Sequence, residues 1–103
     1  MSWTADYRAK VVSPADALRL VRSGDRLTVS GNAGVPRTLL DALCARSGEL
    51  RDVEIAALLT LGDAPYDRPE HRGAFRANAL FVGANLRDAV NEGRADYTPV
   101  FLS

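Results

Sequence analysis

The stretch RLTVSGNAGVPRTLLDALCARSG, residues 26–48, followed by VEIAALLT at 53–60, decides the fold. Arg26 to Ser30 alternates with period two and reads as a strand. A run of small residues, Gly31 to Val35, then turns into Pro36. From there Leu39, Leu40, Leu43 and Cys44 fall on one helical face until Gly48 stops the helix. Val53 to Thr60 is continuously apolar, the pattern of a strand buried on both faces. Strand, helix and strand in that order make a βαβ unit.

Working outward, Ser13 caps a helix that starts at Pro14, carries Ala17, Leu18 and Val21 inward, and ends at Gly24. A loop from Gly62 to Pro69 leads to a weaker helical turn over residues 70–75. Ala79 to Val82 reads as a third strand ending at Gly83. Asn85 caps a helix with Leu86, Ala89 and Val90 inward and Gly93 as terminator. Tyr97 to Leu102 is a fourth strand, with Pro99 marking an edge or an irregularity. Trp3 and Tyr7 are expected to anchor the N-terminal arm to the body. The fold class is α/β: an open, mainly parallel sheet with flanking helices.

The 103 residues fit one domain, 47% of them hydrophobic and 25% charged, which excludes a disordered chain. Thirteen basic and thirteen acidic side chains balance, leaving no basic footprint for nucleic acid or an anionic membrane surface. No apolar run approaches the roughly 18 residues of a membrane helix. A single cysteine, Cys44, makes the reducing cytoplasm the expected compartment. The last strand has no helix after it to cover the sheet, so the chain reads as the beginning of a longer protein.

Chemistry is expected where parallel strands end. The turn Gly31, Asn32, Ala33, Gly34, Val35, Pro36 lets a backbone approach a ligand and starts a helix that favours an anion. It is either such a cradle or a plain strand-to-helix turn. It lacks the dinucleotide fingerprint and the Walker lysine. Thr60 and Gly62 follow the second strand, and Gly83 and Asn85 the third. Asp63 reads as a turn residue rather than a base. His71 has no second His or Cys at ligand spacing, so it reads as a solvated loop residue and no metal site is expected. Cys44 reads as buried and inert. No nucleophile–base–acid set can be assembled, so no catalytic residue is nominated within the chain.

Three ordered motifs, GDR leading into VSGNAGVPRTLLDAL, then LLTLGDAPY, then ALFVGANLRDAVNEGRADYTPVFLS, resemble the acetyl-CoA hydrolase/transferase family. More narrowly they are similar to its 4-hydroxybutyrate CoA-transferase-type members, over residues 3–103. The resemblance implies a class I CoA-transferase fold, with this chain the N-terminal part of the first domain. It implies transfer of CoA between an acyl-CoA and a short carboxylate, with a coenzyme A thioester as substrate and no permanently bound cofactor. The attacking glutamate, which passes through an acyl-glutamyl anhydride to a glutamyl-CoA thioester, belongs to a C-terminal domain absent from this sequence. Glu49, Glu54, Glu70 and Glu92 do not match its motif. The fragment alone is expected to be inactive, and the full-length protein a homodimer.

By the same resemblance, Gly31, Asn32, Ala33, Gly34 and Pro36 lie near the acyl and carboxylate end of the substrate. Thr60, Gly62, Gly83 and Asn85 line the same opening. The alternatives are an acetyl-CoA hydrolase, a non-catalytic small-ligand domain of the same fold, and a small subunit completed by a partner.

Overall fold

The computed structural model describes residues 2–101. Its centre is a four-stranded sheet, β1 Arg26–Val29, β2 Val53–Ala57, β3 Phe75–Ala79 and β4 Asp96–Tyr97, in the order β1-β2-β3-β4. Every pairing is parallel, with Leu27 opposite Ile55 and Ile55 opposite Ala77. The α/β class expected from the sequence is therefore observed.

The strand order governs how the core is built. Each crossover steps to the next strand in the same direction, and right-handed crossovers then place every connection on one face. Burial follows that rule. Val53, Ile55 and Ala57 of β2 and Phe75, Ala77 and Ala79 of β3 are buried on the covered face. They pack with Leu40, Leu43 and Cys44 of α3 (Arg37–Cys44), with Tyr66, and with Leu86 and Ala89 of α4 (Ala84–Asn91). β2 is thus not buried on both faces, contrary to the reading of its apolar run. Glu54 and Ala56 point to the second face and are half-buried.

That second face supplies its own polar partners. Glu54 pairs with Arg26 on β1 and accepts from Asn78 Nδ2 at 3.0 Å. Asn78 accepts in turn from Thr98 Oγ1 at 2.8 Å. Arg76 makes a two-pronged pair with Asp96, 2.8 Å on each arm, which holds the Asp96 carboxyl below its usual range. One helical layer on one sheet gives a molecule only 22 Å thick. Its radius of gyration, 15.1 Å, exceeds the roughly 13 Å of a compact chain this long.

Several local readings change. Residues 3–10 form a helix, α1 (Trp3–Lys10), capped by Ser2, whose hydroxyl accepts from the Thr4 amide. It buries none of its residues, and Trp3 is 79% exposed, so Trp3 and Tyr7 do not anchor the arm. The helix expected from Pro14 to Gly24 is one α-turn, α2 (Pro14–Ala17), continued as a 3₁₀ turn over Leu18–Leu20. Leu39 is exposed rather than inward, while its neighbour Leu40 is buried. The third strand occupies Phe75–Ala79 instead of residues 79–82, because Arg76 and Asn78 are strand residues facing the polar side. A short 3₁₀ turn, Pro69–His71, replaces the helical turn over 70–75. β4 pairs only at Asp96–Tyr97; the backbone leaves the sheet before Pro99, and Leu102 lies outside the described residues.

His71 is half-buried rather than solvated. Its ring stands edge-on to Phe75 at 5.9 Å, with Nδ1 buried and without a partner among the described residues.

Cys44 is buried, as its position on the apolar face of α3 suggests. Burial is the main cause that pushes its thiol up from 9.0 to about 11, partly opposed by Arg68. Two outcomes are expected. Ellman's reagent should label Cys44 at neutral pH only as fast as the chain unfolds. The folded chain also keeps a proton that the unfolded chain releases above pH 9.0, so stability should fall as pH rises from there toward 11. Replacement by serine removes the thiol titration and its share of that decline, which urea melts across the range would read.

Candidate functional site

All four strands run the same way, so their carboxyl ends open at one end of the sheet. The loops after β1, β2 and β3 lie there side by side. Backbone bonds carry the pairing past the strands proper: the Asn32 amide donates to Leu59 O at 2.8 Å, and the Phe81 amide donates to Leu58 O at 2.9 Å. Asn32 and Thr60 form an isolated parallel bridge.

Close approach dictates the small residues. A Cβ on Gly31 would stand 3.0 Å from Leu59 O, tighter than ordinary contact, so a side chain there would press the neighbouring backbone aside. Asn32 takes φ 53°, a left-handed conformation that Asn tolerates better than most residues. Gly62 is left-handed at φ +73°, and a Cβ there would lie 2.5 Å from Arg37 Nη2. Within the first loop the amides of Asn32, Gly34 and Val35 are spent on carbonyls of the loops themselves. Gly31 and Ala33 keep amides without a backbone acceptor among the described residues. Ala33 and Gly34 are exposed, and Pro36 is half-buried as the residue preceding α3.

Between the second and third loops lies an open groove of about 420 Å³, lined by Leu59, Thr60, Leu61, Gly62, Gly83, Ala84 and Asn85. Four of the residues singled out from sequence, Thr60, Gly62, Gly83 and Asn85, thus share one depression. Gly31 and Asn32 adjoin it through Leu59.

Asn85 does not cap its helix. Gly83 occupies the cap position of α4 without a side-chain bond. Asn85 Nδ2 instead donates to Thr60 O at 2.7 Å and Gly62 O at 2.6 Å, tying the third loop to the second. Thr60 is turned inward, 4% exposed, with its hydroxyl 2.8 Å from the buried Tyr66 hydroxyl. Burial pushes the Tyr66 phenol up, against the lowering effect of the Thr60 bond, so it stays protonated. Thr60 therefore contributes its backbone to the groove wall while its hydroxyl is committed to the core. Asp63 is exposed and faces Arg68 at 3.9 Å, in keeping with a turn role.

A double-mutant cycle should measure this buried pair. Tyr66→Phe and Thr60→Val each leave one buried hydroxyl unpaired and should each cost about 1–3 kcal/mol. The double substitution should cost less than their sum, because no orphan remains. Urea midpoints of the four proteins would read it.

Three contributors escaped sequence reasoning. Arg37, the first residue of α3, reaches back across the site: Nη2 donates to Leu61 O, and Nη1 donates to Asp63 O at 3.3 Å. Tyr66 supports Thr60 from below, and Leu59 sits between Gly31 and Gly83. Nothing in local sequence marks them, since each acts on another loop.

A second cavity, of about 340 Å³, lies at the amino ends of the strands and includes Asp67, Arg68, Arg72, Arg76 and Arg94. Its charges are largely matched: Arg76 pairs with Asp96, and Arg94 pairs with Asp67 and Glu92. Open α/β sheets place ligands at the carboxyl ends, which favours the groove. Among the described residues no three His, Cys, Asp or Glu side chains gather as a metal-ligand set, and no helix is long and apolar enough to cross a membrane.

The sequence profile of the acetyl-CoA hydrolase/transferase N-terminal domain matches residues 1–103. The chain belongs to the acetyl-CoA hydrolase/transferase family. Within it, the chain is 37% identical over 102 residues to the 4-hydroxybutyrate coenzyme A transferase of Clostridium kluyveri, covering 99% of this chain and 24% of that protein. It is 36% identical over 101 residues to the succinyl-CoA:cyclohexane-1-carboxylate CoA transferase of Geobacter metallireducens, covering 98% and 23%. RipA of Yersinia pestis shares the fold, with a TM-score of 0.81 at 24% identity over 98% of this chain and 26% of RipA. The chain therefore spans about a quarter of the length of the family members it matches. The resemblance carried by the three motifs holds across the chain.

Proposed function

We propose that this chain forms one wall of the catalytic cleft of an acyl-CoA:carboxylate CoA-transferase. The observation that carries the reading is the near-complete match of the chain to curated CoA transferases, 37% identical over 99% of its length in one case. The convergence of three loops on one groove at the carboxyl ends of the strands supports it.

In the proposed reaction a glutamate beyond Ser103 attacks the thioester carbonyl and expels the CoA thiolate. The thiolate then attacks the resulting acyl-glutamyl anhydride at the glutamyl carbonyl, leaving a glutamyl-CoA thioester and a free carboxylate. A second carboxylate reverses the sequence with a new acyl group. Two covalent steps of modest barrier replace one difficult exchange. This chain contributes no nucleophile. Its role is to hold the acyl and carboxylate end, with Gly31, Asn32, Ala33, Gly34 and Pro36 on one side and Thr60, Gly62, Gly83 and Asn85 on the other. The open amides of Gly31 and Ala33 are the donors in the first loop suited to an oxyanion, the kind of contact that gains most once water is excluded.

Coenzyme A enters as substrate and leaves as product, with no resident cofactor. The whole protein is proposed to work as a homodimer in a reducing compartment, with a second domain closing the groove. Hydrolysis is the second reading, favoured by a matching family that spans hydrolases and transferases alike. Closure over the thioester decides between water and a carboxylate as acceptor.

The test is to supply the full-length polypeptide with acetyl-CoA and propionate. Propionyl-CoA and acetate should appear in equal amounts. Release of free CoA without propionyl-CoA would identify a hydrolase, and no reaction with any short acyl-CoA would refute both readings.

A further inference from the structure

We propose that Arg37 recognises the carboxylate of the acceptor substrate, an inference that rests on the transferase reading above. The nine loop residues assigned to the site, Gly31, Asn32, Ala33, Gly34, Pro36, Thr60, Gly62, Gly83 and Asn85, carry no charge. The proposed acceptor is an anion, and a desolvated carboxylate needs a cation or several donors facing it.

Two arginines reach the loop after β2. Arg68 faces the Asp63 carboxylate, so its charge is matched. Arg37 donates only to carbonyls, Leu61 O and Asp63 O, and makes no ion pair among the described residues. A guanidinium has five N–H donors in a fixed fork. Two of its nitrogens are engaged with those carbonyls, and donors remain open.

The two carbonyl bonds also fix where the charge sits. They hold the guanidinium against Gly62, so close that a Cβ there would lie 2.5 Å from Nη2. Gly62 lines the groove and Arg37 does not, so the cation stands against the wall residue Gly62, just outside the groove lining. A pre-positioned planar fork matches a carboxylate and loses little freedom on binding. Arg37 is itself exposed in this chain, so its reach toward a bound anion is sensitive to salt until the cleft closes.

The experiment compares the full-length polypeptide with Arg37→Gln and Arg37→Lys, by initial rates with acetyl-CoA as donor and propionate as acceptor. In Arg37→Gln the KM for propionate should rise about tenfold, the scale of one charge-assisted contact. The KM for acetyl-CoA should stay unchanged, and the propionate KM should lose most of its salt dependence. Arg37→Lys keeps the charge without the fork, so its propionate KM should fall between the other two. It also carries the test if Arg37→Gln does not accumulate. Equal changes in both KM values, or a lowered melting temperature with the propionate KM untouched, would make Arg37 a loop clamp and overturn the inference alone. A wild-type polypeptide that exchanges nothing would overturn the transferase reading and this inference with it.

Discussion

Gly31→Val is expected to reduce thioester exchange by the full-length polypeptide about tenfold or more, because the loop after β2 must shift to admit the side chain. The first atom of any side chain at position 31 would sit 3.0 Å from Leu59 O and 3.3 Å from Leu59 N. Both are backbone atoms of the neighbouring loop, so no rotamer change relieves the contact. The neighbouring backbone must yield slightly, and the 2.8 Å bond from the Asn32 amide to Leu59 O takes the strain. Leu59 also touches the space beside Gly83, so the displacement passes to the third loop. Overpacking of this kind costs about 1–3 kcal/mol, so the fold should survive while the site does not. Gly48→Ala is the control. Nothing lies within 4 Å of a Cβ there, and activity should be unchanged. Steady-state rates beside thermal melts would separate the two effects.

Leu43→Ala should give the largest loss of stability, about 2–5 kcal/mol. Leu43 is 2% exposed and packs in the single core layer between α3 and the sheet. Domains of this size are stable by only about 5–15 kcal/mol, so the loss is a large share of the total. Only one face of the sheet is packed within this chain, which leaves little other core to compensate. Leu20→Ala, at an 82% exposed position, should stay within about 0.5 kcal/mol. Denaturant midpoints of the two variants measure the contrast.

The fold class was legible because the elements that decide it obey simple periodicities. Arg26–Val29 alternates, Leu40, Leu43 and Cys44 share a helical face, and small residues punctuate the joins. The misreadings have a common physical source. Apolar runs mark strands only where both faces of a sheet are covered, and this sheet is covered on one face only. The true third strand therefore places Arg76 and Asn78 on its polar side, and the apolar Leu80, Phe81 and Val82 belong to the turn beyond it. Glu54, the second residue of the run 53–60, is the one that marks the second face. α1 was missed because a helix that buries nothing has no stripe to read.

The candidate site was legible in its glycines and opaque in its side-chain bonds. Gly31, Gly62 and Gly83 announce close approach, and the structure supplies the neighbour at each. Asn85 next to a helix start suggests capping, yet its amide bonds carbonyls more than twenty positions earlier in the chain. Arg37 likewise acts on the loop after the next strand. Such long-range bonds depend on strand register, which local patterns do not encode.

The most direct measurement is to incubate the full-length polypeptide with acetyl-CoA alone, trap the covalent enzyme, and map the modified peptide by mass spectrometry. A coenzyme A thioester is expected on a glutamate beyond Ser103, and none on Glu49, Glu54, Glu70 or Glu92. Modification of any residue within 1–103, or exchange proceeding with no covalent enzyme at all, would contradict that expectation.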